Sequence, residues 1–338
     1  MPSIFIIIGF VLSNEIYVML FNLQYIILWI MKIVFMGSAE FGIPALEALL
    51  GRHDVAAVVS TPARPKGRGL KVFDSPVAEF AKGRVAGPVL TPENLLDSGF
   101  TGELAAVGAD LFVVVAFRIL PKAVYSIPAL GTVNIHASLL PRYRGAAPIQ
   151  RAVEAGERET GVTVFRIDEG IDTGEIIIQR KTPIGDREAT PELYARLSVM
   201  GADALCDAID GLSRGNARVI PQNPAEATRA PKLSRQEGRI NWNLPASAVF
   251  NKIRAFKPFP GTYFFVNGKR INIEWGEPVD GKQNYPAGTV LSAKGGSIDV
   301  QCGVGVLRIS QVKPEGRSSM DARAFLLGHA IAEGTTLE

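Results

Sequence analysis

Cysteine is nearly absent from this chain of 338 residues. Cys206 and Cys302 are too few for a disulfide framework and lack metal-ligand spacing, which fits a reducing compartment and predicts no metal centre. Histidine is as sparse: only His53, His136 and His329 offer an imidazole. An excess of one charge is also lacking. Lys+Arg total 36 against Asp+Glu 33, a formal net charge of +3, so the chain as a whole does not point to nucleic acid or an anionic membrane, and any basic surface must be local. Internal repeats and low-complexity segments are missing. With 47% hydrophobic and 20% charged residues, collagen-like, disordered and disulfide-scaffold classes are excluded, and the length suits two domains of roughly 100–200 residues each.

Residues 1–30 contain no Lys or Arg and carry Glu15 as their only charge. A secretory signal needs a positively charged start and a small-residue cleavage site, and this apolar leader lacks the first and shows no clear case of the second. A membrane span needs about 20 consecutive apolar residues; here Ser13, Asn14 and Glu15 break the run, and Asn22 and Gln24 break it again. A membrane anchor stays open as one reading. The other is that translation begins at Met31, where Met-Lys-Ile-Val-Phe-Met reads as an ordinary first strand, so that 1–30 is a mis-assigned start or a non-native extension. On that reading the protein is cytoplasmic, with no stable membrane partner.

From residue 32 onwards the periodicity is clear. An apolar run over 32–36, a glycine turn and helical spacing over 41–50 make half of a βαβ unit. Val-rich runs at 55–60 and 111–116, with 131–136, suit strands buried on both faces of a parallel sheet. Helical patterns at 146–155 and 191–212 alternate with strands at 161–167 and 175–180, which predicts a doubly wound, mostly parallel, Rossmann-like α/β domain over 31–212. Residues 213–231 are polar and punctuated by Gly215, Pro221, Pro224 and Pro231, and read as an extended linker. From 232 to 338 a short helix at 246–255 precedes strands at 262–266, 270–275, 289–293, 297–301 and 305–312, with Asn267-Gly268 as a tight hairpin turn. That pattern predicts a small OB-like β barrel.

Asn134 and His136 lie two apart at the end of a buried strand, so their side chains share a face. A core histidine is the plain alternative. The next loop, with Pro141, Arg142, Arg144, Gly145 and Pro148, sits where open α/β sheets bind ligands. A second loop crowds Asp168, Glu169 and Asp172 among glycines. Turn formation and calcium are both conceivable there, although the spacing is not that of an EF-hand. One of these carboxylates facing His136 would orient the ring or relay protons, while Asn134 stabilises an oxyanion; acyl transfer needs these roles. The glycine turn at 37–42 has neither GxGxxG spacing nor a P-loop lysine and reads as structural. Between 61 and 73 stand Arg64, Lys66, Arg68 and Lys71 with no acid until Asp74, either a solvated loop or a track for phosphates. Between 229 and 257 seven cations face Glu237 alone, and Trp242, Phe256 and Phe259 nearby either stack on bases or fill a core, the latter for at least two of them.

The run Asn134-Ile135-His136-Ala137-Ser138-Leu139-Leu140-Pro141, the adjoining Arg-Tyr-Arg-Gly-Ala-Ala-Pro and Asp172-Thr173-Gly174 resemble the formyltransferases that use 10-formyltetrahydrofolate. The likeness is closest to the members that act on methionyl-tRNA. It runs from about 31 to the last helix and includes Arg-Pro-Lys-Gly-Arg-Gly at 64–69, Lys-Leu-Ser at 232–234, Ile-Asn-Trp at 240–242 and Arg-Ala-Phe-Lys-Pro-Phe-Pro-Gly at 254–261. The resemblance implies that Asn134, His136 and Asp172 are catalytic and that Ser138, Leu139, Leu140 and Pro141, with Phe117 and Ile119, hold the folate. It implies that Arg64, Lys66, Arg68, Lys71, Lys232 and Arg254 contact tRNA, and that formyl passes to initiator methionyl-tRNA without a metal; a monomer is the expected state. A departure stands at 116–120, where Ala-Phe-Arg-Ile-Leu replaces the Tyr-Gly or similar pair frequent in the family, with Arg118 beside the expected pterin pocket. Formyl transfer to a sugar nucleotide or purine precursor, or a non-catalytic RNA-binding role, are the alternatives.

Overall fold

The computed structural model describes residues 5–12, 15–22, 30–66, 71–281 and 285–338. Of the apolar leader, only the backbone of an antiparallel hairpin is described, β1 (Phe5–Leu12) with β2 (Glu15–Asn22). The rest of 1–29 and Arg68 lie outside the described residues.

The larger body is a sheet covered on both faces. Strands β3 (Lys32–Gly37), β4 (Asp54–Val59), β7 (Val89–Leu90), β8 (Leu111–Val115), β9 (Thr132–His136), β10 (Glu159–Arg166) and β11 (Ile176–Pro183) take the order β11-β10-β9-β8-β3-β4-β7. Between β4 and β7 the chain forms a separate short hairpin, β5 (Arg64–Lys66) with β6 (Lys71–Phe73). All pairings from β7 to β9 are parallel, whereas β9–β10 and β10–β11 are antiparallel. Period-two alternation explains the apolar runs: Ile33, Phe35 and Val113 enter one core, and Val34, Met36 and Val114 enter another on the opposite face.

Helices α1 (Ile43–Leu50), α2 (Pro76–Ala81), α3 (Ser98–Ala106), α4 (Lys122–Tyr125), α5 (Pro148–Glu154) and α6 (Thr190–Ser213) flank this sheet. Helix α6 buries Leu193, Leu197, Gly201, Leu205, Ala208 and Leu212 along one stripe. Gly201 is required there, because a Cβ would meet Ile135 Cγ2 of β9 at 2.9 Å. Helices α2 and α3 escaped periodicity, α2 because it has only six residues and α3 because it buries only Phe100 and Leu104, but each has a local start signal: Ser75 Oγ accepts from Ala78 N and Asp97 Oδ1 from Phe100 N.

The first α-helix of the second body is α7 (Ala246–Ala255). Strands β12 (Thr262–Val266), β13 (Lys269–Val279), β14 (Val290–Ser292), β15 (Ile298–Gln301) and β16 (Val306–Pro314) form an antiparallel sheet ordered β12-β13-β16-β15-β14, with β17 (Met320–Asp321) beside β16 and α8 (Ala322–Gly328) after it. Its core is separate and includes Trp242, Phe264, Ile273, Val300 and Phe325. The two bodies are nonetheless packed together. Phe256, fully buried, belongs to the core of the first body, and Thr190 Oγ1 donates to Ala255 O at 2.7 Å. No helix among the described residues is long and apolar enough to cross a membrane.

Candidate active site

Strand β9 ends in the middle of the sheet, with β8 parallel on one side and β10 antiparallel on the other. Its alternation points Asn134 and His136 the same way. His136 is 6% exposed, and its two ring nitrogens face two different loops. Nε2 lies 2.8 Å from the Tyr143 carbonyl oxygen, and Nδ1 lies 3.6 Å from Asp172 Oδ2. A carbonyl only accepts, so Nε2 carries the hydrogen in the neutral ring and the Nδ1 lone pair is turned towards the carboxylate. Asn134 keeps partial exposure, which leaves its carboxamide accessible to a ligand.

Asp172 sits at φ +55°, a left-handed conformation uncommon for a residue with a side chain. Its Oδ2 accepts from Gly145 N at 2.8 Å. Gly145, at φ +123°, has no room for a side chain: a Cβ would stand 2.7 Å from Ala230 O. The other acids of that loop point elsewhere. Asp168 Oδ1 accepts from Gly170 N at 3.0 Å and Thr173 Oγ1 at 2.5 Å, and Glu169 pairs with Lys122 at 2.6 Å. The three carboxylates thus diverge, which is the turn-forming arrangement and not a shared cation cage. Tyr143, whose carbonyl holds His136, donates its hydroxyl to Glu157 at 2.7 Å, and burial together with that carboxylate pushes its pKa up to about 12.

Residues expected to hold folate divide into two groups. Ser138 is fully buried and donates to Arg142 O at 2.6 Å, and Leu140 is 3% exposed in a small core with Phe165 and Ile176. Backbone groups here are also taken, since Leu140 N donates to Thr163 Oγ1 and Leu140 O accepts from Gln179 Nε2. As a correction, the Ser138 and Leu140 side chains build the loop from within and do not line an open face. Leu139, Pro141 and Phe117 are partly exposed, and Ile119 is 78% exposed. Ile171, next to Asp172, is also exposed and was not singled out in the sequence. The Lys122–Glu169 pair ties the start of α4, just after Ile119, to the loop that carries Ile171. Arg118 turns to the chain before α3, donating to Pro92 O at 2.7 Å and Glu93 O at 2.9 Å.

Of the cations expected to meet tRNA, Arg64, Lys71 and Lys232 are exposed; the Lys66 side chain lies outside the described residues. Arg254 requires correction. It is 5% exposed, with Nη1 donating to Gly185 O and Glu188 O and with Nε and Nη2 donating to Asn251 Oδ1. It therefore bolts the two bodies together, and burial depresses its pKa. Burial likewise lowers the pKa of Lys252 and Lys257. The exposed basic face near the second body is thus carried by Arg229, Lys232, Arg235 and Arg239. Trp242 and Phe256 fill cores, whereas Phe259 is half-exposed. Composition gave no sign of a cation–aromatic row on β12: Tyr263 lies under Arg270 at 3.8 Å, Phe265 under Arg239 at 5.7 Å, and the two rings meet edge to face.

Residues 31–209 match the family Formyl transferase, and 232–330 match Formyl transferase, C-terminal domain. The methionyl-tRNA formyltransferase of Pelobacter propionicus is 42% identical over 308 residues, covering 90% of this chain and 96% of the relative. That of Caldanaerobacter subterraneus subsp. tengcongensis is 41% identical over 311 residues, covering 91% and 100%. Among solved structures, the N-formyltransferase of Helicobacter canadensis, in complex with folinic acid and dTDP-3-aminofucose, superposes with a TM-score of 0.65 at 21% identity over 84% of this chain and 100% of that one. The last likeness is one of fold. The identities across nine-tenths of the sequence are of a different order, and with both domain matches they show that the chain belongs to the formyltransferase family, among the methionyl-tRNA formyltransferases.

Proposed function

We propose that the protein transfers the formyl group of 10-formyltetrahydrofolate to the α-amino group of methionyl initiator tRNA, with Asn134, His136 and Asp172 as the catalytic residues. The observation that carries this reading is the placement of one buried imidazole between a carbonyl and a carboxylate, two positions from a partly exposed carboxamide on the same strand face.

The α-amine attacks the formyl carbon, a C–N bond forms, and the carbonyl oxygen becomes an oxyanion. Asn134 donates to that oxygen. Preorganised donors are worth roughly 10²–10³-fold each in acyl transfer. The attacking nitrogen must lose a proton and the departing folate nitrogen must gain one when its bond to the formyl carbon breaks. His136 can take a proton at Nδ1, because Nε2–H is held by Tyr143; the imidazolium so formed faces Asp172, and the proton then passes to the leaving nitrogen. Folate lies against Leu139, Pro141, Phe117 and Ile119. Arg64, Lys66 and Lys71 of the β5–β6 hairpin, together with Arg68, Lys232 and the β12 face, contact the acceptor arm.

The decisive test offers labelled formyl donor to methionyl initiator tRNA, methionyl elongator tRNA and small amines. Label on the initiator species supports the reading; label on small amines alone overturns it.

A further inference from the structure

The segment between the two bodies is extended, as its composition predicts, but it is threaded over the active-site loops. Ile220 pairs with Ile176 through two backbone hydrogen bonds of 2.8 Å. Thr228 Oγ1 accepts from Tyr143 N at 2.8 Å, Thr228 O accepts from Arg144 N at 2.9 Å, and Ala230 N donates to Arg144 O at 2.7 Å. Gln222 lies between these anchors. Its Nε2 donates to Asp172 O at 2.9 Å and to Gly174 O at 2.7 Å, while its Oε1 accepts from Arg144 Nε at 3.1 Å and Nη2 at 2.6 Å.

One carboxamide thus uses both its donor and its acceptor end to tie together two loops that also meet directly, where Gly145 N donates to Asp172 Oδ2. The first loop presents the Tyr143 carbonyl to His136 and the Gly145 amide to Asp172. The second carries Asp172 itself, in a left-handed conformation uncommon for a residue with a side chain. The backbone carbonyl of that residue is one of the two groups held by Gln222. We propose that Gln222 is a positioning residue: it fixes the Asp172 carboxylate against His136 and so makes the linker part of the active site. This rests on the catalytic reading of Asp172.

Only the amide chemistry fits. A glutamate in its place keeps the acceptor for Arg144 but sets a carboxylate oxygen against the carbonyls of Asp172 and Gly174, so it should release the acidic loop while leaving the strap attached. An alanine releases both loops.

The test measures single-turnover formyl transfer and steady-state KM for methionyl-tRNA in Gln222→Glu, Gln222→Ala, Asp172→Asn and the double variant Gln222→Glu/Asp172→Asn, with thermal midpoints for each. The expected result is a fall of about 10–100-fold in the transfer rate of both Gln222 variants, since small misplacements of catalytic groups cost up to about 10²-fold. KM for tRNA should stay within about two-fold. In the Asp172→Asn background, Gln222→Glu should slow the reaction no further, because a residue acting through Asp172 loses its effect when that carboxylate is gone. A merely structural contribution would multiply through instead, and that outcome overturns the proposal. So does an unchanged rate in Gln222→Glu, or a defect confined to KM. Should Gln222→Ala fail to fold, the glutamate variant and its double decide. If Asp172→Asn itself transfers formyl at the normal rate, the catalytic assignment fails; if it is inactive while Gln222→Glu is normal, only the positioning role fails.

Discussion

At His136 the ring has one neighbour that can only accept, the Tyr143 carbonyl, and one carboxylate, Asp172, beyond hydrogen-bond length at 3.6 Å. That arrangement fixes the tautomer without consuming the lone pair. His136→Ala should therefore lower kcat by at least about 10²-fold and leave the KM for tRNA nearly unchanged, and Asn134→Ala should lose about 10²–10³-fold in the same parameter; steady-state kinetics with purified substrates check both. Tyr143 supports a separate expectation. Its pKa is raised from 10.0 to about 12 in the fold, chiefly by burial and then by Glu157, so between those values the unfolded chain has released a proton that the native state retains. Stability then falls as pH rises through that window. Tyr143→Phe removes this contribution, and denaturation followed from pH 9 to 12 should show a shallower loss than in the wild type; an identical slope would refute the assignment. The residues themselves were legible because Asn134 and His136 lie on one strand and share a face. Spacing alone left the partner of that pair as one of three acids, and only the family resemblance pointed to Asp172, since which carboxylate turns inwards depends on the positive φ of Asp172 and on the amide of Gly145.

Among elements, the parallel strands were visible as unbroken apolar runs because both faces of the sheet are buried, as Val34 and Phe35 show by entering opposite cores. Helix α6 was visible for the opposite reason, a one-sided stripe over many turns. The strap over 220–230 was not, because its partners are backbone groups and a single carboxamide, which leave no periodic signature in sequence. The basic segment at 61–73 takes an intermediate place: its charge was plain, but its hairpin pairing of Arg64 with Phe73 and Lys66 with Lys71 was not. Exposed Arg64 and Lys71, one on each strand of this short ribbon, suit a phosphate backbone, which affects affinity without reading bases. Arg64→Ala and Arg68→Ala should each weaken tRNA binding and reduce the steepness of its dependence on salt by about one unit of log–log slope. Folate affinity should be untouched. Equal loss of folate binding, measured by titration in the absence of tRNA, would place these side chains in the donor site instead.

Taken as one molecule, the protein is less divisible than its two cores suggest. Arg254 leaves α7 and lays its guanidinium on the carbonyls of Gly185 and Glu188, which stand between β11 and α6; Phe256, two residues on, is buried in the core of the first body. Arg151 of α5 reaches Glu237 at 2.7 Å across the same boundary, and Arg187 pairs with Glu277. A cation in a basic stretch reads, in sequence, as a phosphate contact; in the fold Arg254 is buried and donates to the Gly185 and Glu188 carbonyls and to Asn251 Oδ1. The two roles predict different measurements. If Arg254 is an interface bolt, Arg254→Met leaves the Gly185 and Glu188 carbonyls without that donor and costs about 1–3 kcal/mol, seen as a lower thermal midpoint. tRNA affinity measured well below that midpoint should keep the wild-type salt slope, because no phosphate contact has been removed. A variant with unchanged stability and a salt slope shallower by about one would return Arg254 to the tRNA surface. Lys232→Ala is the matched control: exposed and unpaired with any described carboxylate, it should show the second pattern and not the first, with a flatter salt dependence and an unaltered midpoint.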